Sequence, residues 1–112
     1  MNKRENRIEE YLEMVKEHIV NQINPDKIVL FGSYARGDYN SNSDIDLIFI
    51  VDNKDESKRD IKHQIDRLLQ DRWLPTDIFV YTEDEFREEE GIIGTLPHEI
   101  KEESEVLYDK RG

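Results

Sequence analysis

The sequence predicts an α/β (α+β) fold in which helices flank a small mixed sheet. Three observations lead there. Two short, β-branched runs, 28–31 and 47–51, are split by a loop rich in Gly, Ser and Asn. A third such run, 77–81, follows Pro75. Apolar residues at helical spacing precede the first run and separate the second from the third. At 112 residues there is room for one domain, 1–112, with one modest core.

Ile8, Leu12, Val15, Ile19 and Ile23 recur at steps of four, three, four and four, which predicts one amphipathic helix ending before Pro25. Lys27 to Phe31 reads as a strand. Residues 32–43 read as a loop with a helical turn around Tyr34 to Gly37. Asp44 to Val51 is the second strand, and its continuous apolar character from Leu47 implies cover on both faces. A polar connection, 52–56, leads to a second helix marked by Ile61, Ile65, Leu68 and Leu69, ending near Trp73. Asp77 to Tyr81 is the third strand. Thr82 followed by Glu85 is a capping box that starts a third helix, which Gly91 and Gly94 interrupt. Leu96, Ile100 and Val106-Leu107 predict a last helical segment and an apolar tail docked on the core. The helices are expected against one face of the sheet.

Composition narrows the function. Charged residues make up 38% and the net charge is −11, which argues against a nucleic-acid partner because phosphate binding needs a basic face. A basic protein partner fits better, as does a site that uses magnesium to receive an anionic nucleotide. The absence of cysteine excludes disulfides and thiolate metal sites. The first ten residues are too charged for a signal peptide, and no apolar run nears the roughly 18 residues of a membrane span. The expected compartment is the cytoplasm.

Residues 32–46 carry the chemistry. Gly32-Ser33 follows the first apolar run, and ten residues later Asp44-Ile45-Asp46 opens the second. A turn with free backbone N–H groups suits phosphate oxygens. Two carboxylates two apart on a strand share a face and can share a divalent cation. Carboxylates at the mouth of a buried strand cost several kcal/mol unless a cation or donors compensate, roughly as for other buried charges. Asp77, at the start of the third strand, is the candidate third acid and general base. Arg36 either steadies the phosphates or pairs with Asp38, and Ser43 is either a turn residue or a phosphate donor. Tyr34, Tyr39 and Trp73 are candidates to stack on a base, with Trp73 also read as core. His18, His63 and His98 show no ligand spacing and read as surface residues. An EF-hand loop counted from Asp38 fails at Ser43 and Phe49, and no Gly-Lys-Ser/Thr follows the turn, so a Walker-type loop fails too.

Gly-Ser, ten residues and Asp-x-Asp is a pattern by which the chain resembles a nucleotidyltransferase of the DNA polymerase β superfamily. More narrowly it is similar to the minimal nucleotidyltransferases, MNT-type antitoxins paired with HEPN toxins. The resemblance covers nearly the whole chain, including a later-strand Asp matching Asp77 and an ending, Ile100 to Tyr108, like the family's Leu-Tyr tail. It implies magnesium- and ATP-dependent transfer of AMP to a tyrosine hydroxyl of a HEPN ribonuclease toxin. Asp44 and Asp46 would hold two magnesium ions. Asp77 would bind one of them and activate the hydroxyl, while Gly32 and Ser33 bind the outer phosphates. The alternatives are an antitoxin that acts by occluding its partner, and a transferase for a small acceptor such as an antibiotic. The chain's length argues against the last, since larger relatives add a substrate domain.

Overall fold

The structure is a computed structural model that describes residues 4–52 and 56–112. Residues 53–55 of the expected polar connection, and 1–3 of the charged N-terminus, lie outside the described residues.

Helix α1, Asn6–Ile23, buries Ile8, Tyr11, Leu12, Val15 and Ile19 along one stripe. It stops where Asn24 enters the left-handed region at φ 55° and donates its N–H back to Ile19 and Val20. Pro25 then prevents continuation. Strand β1, Lys27–Phe31, runs into the short helix α2, Ser33–Arg36. Strand β2, Ile45–Val51, is followed by α3, Lys58–Leu68, which Ser57 caps through the Asp60 N–H. Strand β3, Thr76–Thr82, leads directly into α4, Glu83–Glu90, and then α5, Leu96–Ile100. The chain closes with strand β4, Glu105–Asp109.

The sheet order is β3-β2-β1-β4. β1 is antiparallel to β2 and β4, and β2 is parallel to β3, so the sheet is mixed as expected. Two expectations fail. The segment after Ile100 is not simply a docked tail: it adds β4 as an edge strand beside β1, with a register shift between Ile28 and Val29. The helices also do not share one face. α1 and α3 cover the face that carries Ile28, Leu30, Ile45, Leu47 and Phe49. Phe86 of α4, with Leu96 and Ile100 of α5, lies on the other, against Val29, Phe31, Ile48 and Ile50. Strand alternation explains the division, and it accounts for the unbroken apolar run in β2.

Trp73 is 56% exposed rather than core. Tyr11 takes the interior place, its ring 5.9 Å from Trp73 and its hydroxyl bonded to Thr76 at the foot of β3. The capping box forms as read from the sequence. The Thr82 hydroxyl accepts from the Glu85 N–H, and the Glu85 carboxylate accepts from the Thr82 N–H. Thr82→Ala removes the first of these, and the expected loss is about 1 kcal/mol. In a domain of this size that appears as a fall in Tm of about 4–8 °C in a thermal melt. Among the described residues, no helix is long and apolar enough to cross a membrane.

Candidate active site

The end of β1 and the starts of β2 and β3 lie side by side. Phe31 pairs with Asp46 across β1 and β2, and Asp46 pairs with Asp77 across β2 and β3. The Ile45 N–H donates to the Pro75 carbonyl at 2.9 Å, which carries the β2–β3 alignment to the first residue of each strand. A parallel neighbour in this register puts the Asp46 and Asp77 side chains on one face. The Asp77 carboxyl lies close enough to that of Asp46 to act on its proton affinity. Asp44 lies just before β2 and is exposed, as is Asp77, whereas Asp46 is half-buried.

Gly32 closes this arrangement from the β1 side. Its backbone sits at φ 79°, ψ −157°, a region open essentially to glycine alone. A Cβ there would collide with Asp46 Oδ2. The Gly32 carbonyl then accepts from the Ala35 and Arg36 N–H groups and starts α2, so the turn and Asp46 are packed as one unit.

The carboxyl of Asp46 is pushed up to about 6 from an ordinary 3.8. Burial is the largest cause. The neighbouring carboxyls of Asp77 and Asp44 add to it, and Arg36 opposes them. The cluster is therefore short of positive charge at neutral pH. All its donors are hard carboxylate oxygens, the set that magnesium takes. Among the described residues, no three acidic or imidazole side chains by themselves enclose an ion. Magnesium is commonly held by one or two carboxylates with substrate phosphates and water, so the donor set fits it with a triphosphate present.

The other residues singled out in the sequence are engaged locally. Arg36 pairs with Asp38 at 3.2 Å and approaches Glu103 at 3.8 Å. The Ser43 hydroxyl accepts from the Asn40 N–H at 3.0 Å within a turn. Tyr34 is buried and stacked on Tyr39, ring centroids 4.4 Å apart, so its faces are not open to a base. His18 and His63 are exposed, and His98 is half-buried with Nδ1 2.8 Å from the Glu90 carbonyl oxygen. One residue not singled out in the sequence stands at the site, and a second ties neighbouring elements together away from the acids. Phe79 lies two positions beyond Asp77 on the same face, and its ring meets that of Phe31 at 5.6 Å. Counting the alternation of β3 from Asp77 would have found it. Arg4 also escaped notice. It grips Glu105 with two nitrogens at 2.8 and 3.0 Å and reaches the Tyr34 carbonyl, tying the chain's start to β4 and α2.

The site thus has acids at the feet of two parallel strands of a four-stranded mixed sheet, with a Gly-Ser turn packed on one of them. The chain belongs to the nucleotidyltransferase domain family, whose sequence profile matches residues 8–107. Nucleotidyl transfer is its enzymatic class. It is 34% identical over 107 residues to a Methanocaldococcus jannaschii protein named "Putative protein adenylyltransferase MJ0604", covering 93% of this chain and 97% of that one. A second protein of that organism, "Putative protein adenylyltransferase MJ0141", is 58% identical over 26 residues, 23% of this chain and 26% of its own. The crystal structure of a "putative nucleotidyltransferase" from Sulfolobus solfataricus superposes with a TM-score of 0.62. That match covers 99% of this chain and 94% of the other at 24% identity, which shows a shared fold.

Proposed function

We propose that this chain transfers AMP from ATP, with magnesium, to a tyrosine hydroxyl of a HEPN ribonuclease toxin, and that it is the antitoxin of that pair. The observation that carries the reading is the lateral contact of Asp46 with Asp77 beside a glycine turn packed on Asp46. A protein acceptor is favoured by the likeness to the Methanocaldococcus jannaschii protein named as a protein adenylyltransferase, which the chain matches along nearly its whole length. The net charge of −11 suits a basic partner, since opposite charge speeds encounter. On this reading the chain is one catalytic domain, 1–112, working in the cytoplasm.

Asp44 and Asp46, with Asp77, would hold magnesium, which when bound neutralises charge on the attacking and leaving oxygens. Gly32 and Ser33 hold the β- and γ-phosphates over the end of β1. The acceptor O–H bond breaks and its oxygen forms a bond to the α-phosphorus. The bond from that phosphorus to pyrophosphate breaks, and pyrophosphate leaves with the electron pair. Asp77 takes the hydroxyl proton. Ser33→Ala should weaken ATP binding by about 1–2 kcal/mol if the hydroxyl meets a phosphate oxygen, and unchanged affinity in a titration would return Ser33 to a turn role.

The test is incubation of the chain with ATP labelled at the α-phosphate, magnesium and the HEPN protein encoded beside it. Label should appear on a toxin tyrosine. No label, or equal labelling by an Asp44→Asn/Asp46→Asn variant, would overturn the catalytic reading. Neutralisation of the toxin without label would point to occlusion instead.

A further inference from the structure

We propose that Phe79, backed by Phe31, is a positioning residue that seats an aromatic acceptor so that its hydroxyl reaches Asp77. The inference rests on the transferase reading and extends it to the acceptor's side of the site.

Direction comes from the order of the strands. Gly32 and Ser33 stand at the end of β1, Asp46 in the middle on β2, and Asp77 on the outer strand β3. In-line displacement places the attacking oxygen opposite the leaving group. With pyrophosphate over Gly32 and Ser33, the acceptor approaches from the β3 side. The ribose and base leave the α-phosphorus off that axis, so a surface on β3 faces the acceptor rather than the nucleotide.

The surface there is aromatic. Phe79 is 37% exposed, while Phe31 is 8% exposed, and their rings meet across β2 at an interplanar angle of 55°. Further along the same face, Tyr81 is covered edge-on by Phe86 of α4 at 5.8 Å. The helical cover thus reaches Tyr81 and leaves Phe79 accessible at the open end, next to Asp77.

Spacing favours a phenol. Residues i and i+2 of a strand stand about 6.4–6.8 Å apart, roughly the reach of a tyrosine from Cα to hydroxyl. A tyrosine ring lying on Phe79 can extend its hydroxyl to Asp77. A serine or threonine whose backbone is stopped at Phe79 falls short. Aromatic rings in offset or tilted contact attract each other beyond the burial of their area, which favours a phenol over an aliphatic hydroxyl.

The experiment uses the full chain, ATP labelled at the α-phosphate, magnesium, and N-acetyl-tyrosinamide or N-acetyl-serinamide as acceptor probes. ATP affinity is measured separately by calorimetry. The wild type should label the tyrosine probe in preference to the serine probe. Phe79→Ala should raise KM for the tyrosine probe about tenfold and abolish that preference, with ATP affinity within about twofold of wild type. Phe79→Tyr should restore the preference, which a merely structural role for the ring would not predict. A wild type that binds ATP with magnesium but labels both probes equally, or neither, overturns the acceptor seat alone. So does a Phe79→Ala protein with unchanged KM. A wild type that does not bind ATP with magnesium overturns the transferase reading beneath it.

Discussion

Asp46→Asn is expected to abolish AMP transfer and, at the same time, to raise the melting temperature of the metal-free protein. Both effects have one cause. Asp46 is half-buried between Phe31, Gly32 and Asp77, and its carboxyl is pushed up to about 6 by burial and by the neighbouring acids. The folded value lies above the unfolded one, so the native state holds that proton more tightly. The resulting stability is fully present below about pH 3.8 and is lost as pH rises through about 6. Above that, metal-free protein carries a strained charge that Asn does not have. Discounted for partial exposure, relief is worth about 1–2 kcal/mol, or several degrees in Tm. Melts in a chelator should show the variant above wild type at pH 7.5, with the gap shrinking towards pH 4. Transfer should fall at least about 10²–10³-fold, the loss typical of removing one preorganised charge-stabilising group. A variant that melts lower at pH 7.5, or that keeps its activity, would mean that Asp46 is an ordinary structural acid.

Gly32→Ala should damage the site by geometry rather than by charge. The residue would have to hold φ 79°, ψ −157°, which costs about 1–3 kcal/mol for a side-chain-bearing residue. Its Cβ would also drive Asp46 Oδ2 out of place. Displacement by about 1 Å in a positioned group can lower turnover by about 10²-fold. Gly94→Ala separates the two effects. Gly94 also has a positive φ, 96°, but nothing lies within 4 Å of its Cβ position. Melts should show both variants destabilised, while a calorimetric titration should show magnesium-dependent ATP binding weakened in Gly32→Ala alone. Equal binding by both would remove the turn from the site.

What the sequence made legible was local in the chain. Gly32, Ser33, Asp44 and Asp46 lie within fifteen residues, and their spacing alone implied a turn facing a pair of acids. Asp77 was legible because it opens an apolar run after Pro75, and parallel pairing of β2 with β3 brings it level with Asp46. The rest depends on distant partners. β4 is a short edge strand whose apolar content is Val106, Leu107 and Tyr108. Its strand character comes from pairing with Lys27 to Leu30 across most of the chain, and short apolar runs do not distinguish strand from helix. The second covered face was hidden because α4, EDEFREEE, offers one aromatic and no stripe. Trp73 looked like core by residue type, yet Tyr11 occupies the interior and satisfies its hydroxyl with Thr76. Phe79 could have been found by carrying the period of two from Asp77 onwards.

On the proposed function, Asp44, Asp46 and Asp77 gather a divalent cation where Gly32 and Ser33 receive a triphosphate. Calorimetric titration of ATP into the wild type and into Asp46→Asn/Asp77→Asn, each with magnesium and with chelator, tests it most directly. Heat of binding is expected for the wild type with magnesium only. Binding of the same strength in chelator, or by the variant lacking both acids, would contradict it.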